Sequence, residues 1–573
     1  MEKRAIVAIG LSILVLFLFQ YLFQRNAEQI PVTAPETVSQ EKKPADPFSH
    51  ITPPVDTAVI TPKPASSQDT SAEAATIVID GEHYRAVIDN RGAVIRNWEL
   101  KHYKSSQKRV FDMIAGYIHG EQRLYPGYIT FDDPELTDLA NNEYYQVSIE
   151  GFDSTLTTIK PPATVVLRFT RGDFSIEKRY AFEADNYVAK VSIHAMKGGR
   201  PLPGHYLIGQ DIGPEYEHFA GSRASLLQAV YFDGNKVRRE SPPKDPNHIK
   251  TINGTVRWVG LDIQYFSIIA IPKQPLQYFN IQKIPIKIGG QNGNEIDRDL
   301  LRVTTPINGF VEYDMYIGPK KRENLAAVGS ADLTGVINYG MFSILVYPLL
   351  HSLLWINQYV NNYGFAIVIL TLFLSLIMFP LRLKALVSMK KMQAVQPQMK
   401  AIQEKYKKYK KTDPKRAEMN QEIMALYKTH KVNPLGGCLP MLLPLPFLIA
   451  FYRLLDTSIE LRQATFIFWI QDLSLKDPIY VLPVLMGITM YISQKMMPMS
   501  PGMDPIQAKL MMMMPVILTI LFLNFSSGLN LYFLCSNIFQ IAFQKMAERW
   551  IIDRKSGDKQ KKKPKRLVAS GGK

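Results

Sequence analysis

Long apolar stretches constrain this chain more than any other feature, because a soluble fold rarely carries several uncharged segments of such length. One stretch lies near the N-terminus at 5–23, and five lie in the C-terminal part at 365–379, 434–455, 479–493, 510–525 and 529–543. A helix of ~20 apolar residues crosses the ~30 Å hydrocarbon core of a bilayer. The pattern predicts a polytopic α-helical membrane protein with six spans.

Positive charge is concentrated in two segments beside these stretches. Residues 381–433 hold 14 Lys and Arg against 4 Asp and Glu, and residues 545–573 hold 11 against 3, in a chain of net charge +16. Cytoplasmic loops carry an excess of Lys and Arg. If the amphipathic stretch 341–358, which contains Pro348 and His351, were also a span, the first basic segment would lie outside. We therefore expect residues 331–360 to form an interfacial helix and both termini to be cytoplasmic.

The first basic segment has the pattern of a helical hairpin. Apolar residues from Met389 to Tyr409 recur every three or four positions, and Asp413-Pro414 precedes a second set at Met419, Ile423 and Leu426. Two amphipathic helices with facing apolar stripes predict an antiparallel hairpin. Basic segments of this kind face anionic lipid, RNA or acidic partners, or are simply solvated. The candidate contact residues are Lys405, Lys407, Lys408, Lys410 and Lys411 in the hairpin and Lys561, Lys562 and Lys563 in the tail.

The N-terminal half of the chain contains three kinds of segment: an apolar stretch, a polar linker and a region of alternating apolar and polar residues. The 5–23 stretch is overlong for a cleaved signal peptide and lacks a small-residue cleavage site, which favours an uncleaved anchor. A Pro-, Thr- and Ser-rich linker follows, and from residue 76 apolar residues alternate with polar ones, as in 174–182 and 187–193. Turn signals such as Arg171-Gly172-Asp173 separate these runs. Alternation with frequent turns predicts a large antiparallel β-sandwich.

The chain carries no recognisable catalytic or nucleotide-binding motif. It lacks G-x-x-x-x-G-K-[ST], H-E-x-x-H, C-x-x-C and G-x-S-x-G, its ten histidines have no metal-ligand spacing, and its two cysteines lie in apolar stretches. We expect no catalytic residue, no metal, no cofactor and no small-molecule substrate.

Polar side chains within the spans are the candidate functional residues. Thr371 and Ser375 lie four positions apart, and Asn537 and Gln540, with Gln544, share a face of the last span. Unpaired polar groups are costly in lipid, so these residues face either a wet cavity or hydrogen-bonding partners on other helices. Ten of the 23 methionines lie between Met486 and Met514, which suits an adaptable apolar surface or a tightly filled core.

Four stretches closely resemble the YidC insertase family in its long Gram-negative form. They are EIMALYKTHKVNPLGGCLP at 422–440, ELRQA at 460–464, LPVLMG at 482–487 and SGLN at 527–530. The resemblance implies a five-helix insertase core with a hydrophilic groove, a large periplasmic β-supersandwich domain and a cytoplasmic helical hairpin. It also implies nascent membrane proteins as substrates, and the Sec translocon, the ribosome, and the signal recognition particle or its receptor as partners.

One position departs from that family. The family carries an arginine in the middle of the second span, and counting back from Pro380 places Ser375 there. A serine cannot attract substrate carboxylates as a guanidinium does. Arg382 lies seven residues further on the same face and is expected to replace part of the charge. We expect Thr371, Ser375, Arg382 and Tyr532, with Asn537 and Gln540, to contact substrate in the groove.

The sequence thus predicts a non-enzymatic insertase and chaperone of the bacterial inner membrane. The alternatives are a small-solute or ion transporter and an envelope-anchored binding protein that uses its β-domain. The expected organisation is 1–23 anchor, 24–75 periplasmic linker, 76–330 periplasmic β-sandwich, 331–360 interfacial helix, 361–380 span 2, 381–433 hairpin, 434–456 span 3, 478–495 span 4, 509–525 span 5, 529–549 span 6 and 550–573 basic tail.

Overall fold

The computed structural model describes residues 72–105, 108–114, 124–151, 158–213, 227–246, 248–289, 295–329, 331–409, 413–430, 445–496 and 505–561. The expected anchor at 1–23 and nearly all of the expected linker lie outside these residues. The chain divides into two compact units, Met1–Val336 and Ile337–Lys573.

The first unit is mostly β-structure. Its strands are β1 (Thr76–Asp80), β2 (Tyr84–Asp89), β3 (Val94–Lys104), β4 (Val110–Asp112), β5 (Ile129–Thr130), β6 (Gln146–Ile149), β7 (Thr158–Ile159), β8 (Ala163–Arg171), β9 (Phe174–Phe182), β10 (Val188–Lys197), β11 (Arg200–Pro201), β12 (Pro203–Gly209), β13 (Gln228–Phe232), β14 (Val237–Glu240), β15 (Ile249–Val256), β16 (Trp258–Asp262), β17 (Phe266–Pro272), β18 (Leu276–Gly289), β19 (Glu295–Asn308) and β20 (Phe310–Pro319). Two helices, α1 (Pro134–Asn142) and α2 (Arg322–Ala326), accompany them.

These strands form three sheets. The orders are β4-β3-β2-β1-β7, β14-β13-β16-β17-β20-β10-β9-β8-β6 with β11 beside β10, and β15-β18-β19-β12-β5. The described pairs are antiparallel apart from β1 with β7. Residues 174–182, whose alternation predicts a strand, are β9, and its pattern of burial alternates along its length. The predicted β-rich unit is therefore confirmed.

The largest sheet packs against both of the others through aromatic side chains. Phe111 of the first sheet stacks on Phe266 of the largest one, with ring centroids 4.2 Å apart. Tyr206 of the third sheet stacks on Tyr313 of the largest at 5.3 Å. Aromatic pairs add about 0.5–1.5 kcal/mol beyond the area that they bury. The register pairs Pro272 with Tyr313, so Phe266 and Tyr313 lie on the same face of the ten-stranded sheet, and both other sheets contact that face.

A lysine is buried within this core. The Nζ atom of Lys178 donates to the carbonyl oxygens of Gly92 and Gly127, at 2.6 Å each, and lies 5.6 Å from the centre of the Tyr145 ring. Burial lowers the pKa of Lys178 to about 7 because a charged amine is poorly solvated in the interior.

The second unit is helical. Its helices are α3 (Ser343–Val360), α4 (Tyr363–Lys405), α5 (Lys415–Thr429), α6 (Leu445–Thr457), α7 (Val481–Met496), α8 (Pro505–Phe522) and α9 (Ser527–Lys561). Helix α9 packs against α4, α6 and α7, while α8 packs on α7 and α3 packs on α4 and α6. Two helical segments, Gly340–Val360 and Tyr363–Lys405, are long and apolar enough to cross a membrane among the described residues. The first of them lies within residues 331–360, which the positive-inside rule predicted to form a helix at the membrane interface.

Two helices run past the predicted ends of their spans. The span 361–380 was expected to end at Pro380, but α4 continues through Pro380 and Pro397 to Lys405. A proline inside a helix removes one backbone hydrogen bond, and membrane helices tolerate this because neighbouring groups satisfy the freed carbonyl. The first arm of the hairpin is therefore an extension of the span. Likewise α9 does not end near residue 549 but runs on to Lys561, into the expected tail.

Candidate functional site

One face of α4 carries the candidate groove residues. At 100° per residue, Thr371, Ser375 and Arg382 lie within about 40° of one another on the helix surface. Thr371 and Ser375 are both buried, and the Thr371 hydroxyl donates to the carbonyl of Ile367 at 2.6 Å. That hydrogen bond uses the only donor of Thr371 and leaves its oxygen free to accept. The prediction that these polar residues point inward is consistent with their burial.

Arg382 supplies a positive charge at one end of this face. Its Nη1 atom is buried and has no hydrogen-bond partner among the described residues. Arg382 lies within electrostatic range of Tyr532 on α9. A buried guanidinium nitrogen without a partner is costly, so this atom is positioned to donate a hydrogen bond to a carboxylate, a carbonyl or a water oxygen.

Tyr532 forms the opposite wall. It is buried, and its ring stacks on Phe451 of α6 with centroids 4.1 Å apart and planes 15° apart. Helix α9 packs between α4 and α6. The stacking fixes the Tyr532 ring, so its hydroxyl keeps one position beside the α4 face. Arg382 and Tyr532 therefore lie near each other, and their contact with substrate stays a prediction.

The other two candidates on α9 have a different role. Asn537 donates from Nδ2 to the carbonyl of Met486 at 3.4 Å, and Gln540 donates from Nε2 to the hydroxyl of Ser493 at 3.0 Å. Gln544 continues the series by donating to the carbonyl of Met496 at 2.9 Å. These amides join α9 to α7. Of the two readings that the sequence left open for this face, the structure favours hydrogen bonds between helices.

Asn530 is a buried polar residue that was not among the predicted groove residues. Its Nδ2 donates to the carbonyls of Phe522, Phe525 and Ser526 at 3.2–3.3 Å, and its Oδ1 has no partner among the described residues. It closes the turn between α8 and α9. Its place two residues after Gly528, in the first turn of a helix, is the sequence signal for such a role.

Apolar side chains cover the opposite faces of the helices. On α4 the exposed apolar residues lie on a different face from the buried polar ones. Helices α7 and α8 also expose apolar residues. They include Leu372, Phe373, Leu376, Ile377, Val484, Leu485, Ile488, Ile492, Val516, Ile517, Ile520 and Leu521. Exposed apolar surface of this extent indicates contact with lipid. The helical unit thus has an apolar outer surface, and its interior combines apolar side chains with a few buried polar ones such as Thr371 and Ser375.

The hairpin between α4 and α5 is joined by both its apolar stripes and its charges. Met392 and Val395 are buried against Leu426 and Tyr427. At the tip, Lys405 and Tyr406 both bind Oε1 of Glu422, at 2.7 and 2.9 Å. Hydrogen bonding by these two side chains lowers the pKa of the Glu422 carboxyl, the contribution of Lys405 being the larger. The predicted packing of the two stripes is confirmed.

The candidate lysines are therefore not equivalent. Lys405 is held by Glu422 and lies over the Tyr406 ring, 5.1 Å from its centre. Lys407 and Lys408 are exposed. Lys410, Lys411, Lys562 and Lys563 lie outside the described residues, and Lys561 is the last residue of α9. No group of three His, Cys, Asp or Glu able to hold a metal occurs in the described part of the chain.

Two family profiles match the chain. The profile described as "60Kd inner membrane protein" matches residues 355–555, and the profile described as "YidC periplasmic domain" matches residues 76–352. The "Membrane protein insertase YidC" of Geotalea daltonii is 34% identical, covering 95% of this chain and 98% of its own length. The protein of the same name from Syntrophus aciditrophicus is 33% identical, covering 95% and 99%.

Solved structures of similar proteins superpose only loosely. The structure described as "Active YidC insertase crystal structure with the first transmembrane domain resolved" is 17% identical, covers 83% of this chain and 93% of its own, and has a TM-score of 0.35. YidC from Thermotoga maritima is 14% identical, covers 82% and 99%, and has a TM-score of 0.29. The sequence relatives, rather than these superpositions, carry the assignment.

Proposed function

The chain belongs to the YidC family of membrane protein insertases, and from that premise we propose that the α4 face beside Tyr532 is where it receives its substrates. The protein is an insertase of the inner membrane with a mostly β periplasmic domain, and its substrates are nascent membrane proteins. A hydrophobic segment enters between α4, α6 and α9, and its polar end is held near Arg382. Its apolar length then passes along α4 and α9 into lipid.

The observation that carries this proposal is the buried Nη1 atom of Arg382, which has no hydrogen-bond partner within the described part of the chain and lies near Tyr532. The family arginine position holds Ser375 here, so the groove lacks its charge at mid-depth. Arg382 lies seven residues further, about 10 Å along the helix axis. It supplies the charge nearer the basic hairpin, while Thr371 and Ser375 offer hydrogen bonds deeper in the groove.

The energy of insertion comes from the substrate itself. Transfer of Leu, Ile, Phe or Val to the centre of a bilayer releases about 0.3–0.6 kcal/mol per residue. A span of ~20 such residues therefore inserts spontaneously once its polar end is accommodated. No nucleotide is needed, and the protein lowers the barrier by hydrating the polar end within the membrane.

The wider organisation follows the positive-inside rule. Six spans, with both termini and the hairpin in the cytoplasm, place both basic segments on one side. The exposed Lys407 and Lys408, together with the tail, then meet the ribosome, the signal recognition particle or its receptor, or anionic lipid. Cooperation with the Sec translocon belongs to the same proposal. The relatives named as insertases match both units, which favours insertion over solute transport or anchored binding.

Site-specific photo-crosslinking tests the groove. A benzophenone amino acid is placed at Ser375, at Tyr532 or at Ile520, and ribosomes stalled with a single-span nascent chain are added to the reconstituted protein. Ile520 is the matched control, because it is 62% exposed on the lipid-facing surface of α8. Crosslinks from positions 375 and 532 and none from 520 are expected. Equal crosslinking from all three positions would contradict a groove at this face.

A further inference from the structure

The segment between α6 and α7 exposes large apolar side chains at one end of the helical unit. Phe468 is 80% exposed, and Ile467, Ile479 and Tyr480 are exposed with it. We call these four residues the apolar platform. Soluble surfaces rarely group such residues without a partner.

The backbone that presents the platform is strained. Phe468 has a φ angle of +52° and Tyr480 one of +58°. Bulky residues rarely adopt positive φ, because Cβ crowds the backbone there. Such strain persists only where the surrounding structure enforces it, and it clusters at functional sites. Both strained residues are members of the exposed platform.

Buried polar contacts hold the segment rigid. The indole of Trp469 donates to Oδ1 of Asp477 at 3.0 Å. The same carboxylate accepts from the backbone nitrogens of Ile479 at 3.1 Å and Leu482 at 2.7 Å, and so caps the start of α7. Asp477 is almost completely buried. These hydrogen bonds fix the positions of residues on both sides of the platform.

The segment is also fastened to the starts of α4 and α9. Asn362 donates from Nδ2 to the carbonyl of Phe466 at 3.0 Å, and a Cβ atom on Gly364 would lie only 2.0 Å from the Phe466 ring. The backbone nitrogen of Gly528 donates to the carbonyl of Leu473 at 2.8 Å. The platform therefore keeps a constant place relative to the ends of the spans.

The platform continues the lipid-facing surface of neighbouring helices. Phe365, exposed in the first turn of α4, meets the Phe466 ring with centroids 5.2 Å apart. On α7 the exposed Val484 and Ile488 lie four and eight residues after Tyr480, about one and two helical turns further along. Trp355 and Tyr359, exposed near the end of α3, pack on each other at 5.1 Å just before α4 begins. Exposed aromatic residues thus gather where the helices begin.

We propose that the apolar platform inserts into the headgroup–acyl boundary of the outer leaflet and sets the depth of α4, α7 and α9 in the membrane. Aromatic residues favour this boundary, because an amphipathic ring suits a region that is apolar on one side and wet on the other. The occupant is lipid rather than a protein, since the platform is continuous with surfaces that face lipid. The inference rests on the proposed topology, in which the hairpin at the other end of α4 is cytoplasmic.

Depth-dependent quenching tests this proposal in the full chain. Cys438 and Cys535 are replaced by serine, and one cysteine is introduced by F468C, I479C or K476C. Lys476 is the matched control, because it is exposed in the same segment and lies outside the platform. Each protein is labelled with an environment-sensitive fluorophore and reconstituted into vesicles of phosphatidylethanolamine and phosphatidylglycerol. Quenching by aqueous iodide is compared with quenching by lipids that carry a nitroxide near the headgroup.

Labels at 468 and 479 are expected to be quenched several-fold less by iodide, and several-fold more by the lipid nitroxide, than the label at 476. Iodide quenching at 468 and 479 as strong as at 476, with no excess lipid quenching, would overturn the proposal. Membrane insertion of a substrate by the same preparations is measured in parallel. Intact insertion with an aqueous platform refutes only this inference, whereas loss of insertion in the unlabelled chain refutes the proposed function.

Discussion

The side-chain amide of Gln540 on α9 donates to the hydroxyl of Ser493 on α7, with 3.0 Å between Nε2 and Oγ. The contact has Asn537 above it and Gln544 below it, each bound to α7. A polar face of α9 that resembles a groove lining thus serves as the joint between two helices. The proposed groove residues are the smaller set on α4, together with Tyr532.

Replacing either partner of the Gln540–Ser493 pair is expected to weaken the contact between α7 and α9 without changing the proposed groove residues. Gln540→Leu, Ser493→Ala and the double variant form a cycle, and hydrogen bonds between membrane helices contribute about 0.6 kcal/mol on average. Unfolding of the full chain by sodium dodecyl sulfate in mixed micelles measures the coupling. Strictly additive effects of the two substitutions would show that the hydrogen bond contributes nothing.

Gly487→Ala is expected to destabilise the contact between α7 and α8. A Cβ atom there would lie 2.0 Å from Oγ1 and 3.1 Å from Cβ of Thr519. Overpacking of this kind costs about 1–3 kcal/mol. The same unfolding assay measures the loss, and Thr519→Ala in the Gly487→Ala background removes Oγ1, the nearest obstructing atom, and should restore most of the stability. If the second substitution restores nothing, the close approach at Thr519 is not the cause.

Lysines of the hairpin should differ in their effect on ribosome binding. Lys407→Gln and Lys408→Gln are each expected to weaken binding and to reduce the slope of log K against log salt by about one. Lys405→Gln should change the slope less, because Lys405 already pairs with Glu422 at 2.7 Å. Co-sedimentation of the full chain with ribosomes over a range of salt concentrations measures the slopes. Equal slopes for all three variants would contradict the distinction.

Lys178 should make the stability of the β unit depend on pH. Its pKa is about 7 in the folded chain, against 10.5 when unfolded, so between these values the unfolded chain binds a proton that the folded chain lacks. The free energy of unfolding therefore rises with pH above about pH 7, by up to about 1.4 kcal/mol per pH unit. Below about pH 7 Lys178 is protonated in both the folded and the unfolded chain. The full cost of burying its charge then lowers the free energy of unfolding, and the dependence on pH ends.

Chemical denaturation of the full chain, followed by near-ultraviolet circular dichroism, measures this dependence. The pH range of this measurement ends below pH 10. Near pH 10 the tyrosines of the unfolded chain begin to ionise, whereas buried Tyr84 of the folded chain does not. Lys178→Met is the control, since it removes the titrating group and keeps an apolar stem of similar length. A slope that is the same in both proteins would show that Lys178 is not its source.

Features that depend on local pattern were predictable from the sequence. The alternation of 174–182 is the strand β9, and the turn at Gly172, with a φ of +59°, separates it from β8. Buried Met392, Val395 and Met399 follow the predicted stripe of the hairpin. These succeed because a period of two or of 3.6 is set by the backbone of a single element.

Features that depend on neighbouring elements were not predictable in the same way. Helical spacing places Asn537 and Gln540 on one face of α9, but it does not say which helix covers that face. Pro380 and Pro397 favour helix ends by local sequence, yet α4 continues through both. The proposed role of Arg382 rests on its proximity to Tyr532, which lies 150 residues away along the chain.

Insertion of a small single-span substrate into liposomes, scored by protease protection, tests the central claim most directly. The purified chain, its Ser375→Arg variant and its Arg382→Gln variant are reconstituted side by side, with empty liposomes as the reference. The unaltered chain is expected to insert the substrate above the reference, Ser375→Arg to insert it at least as efficiently, and Arg382→Gln to insert it several-fold less. Insertion by the unaltered chain no better than by empty liposomes would contradict the proposed insertase function.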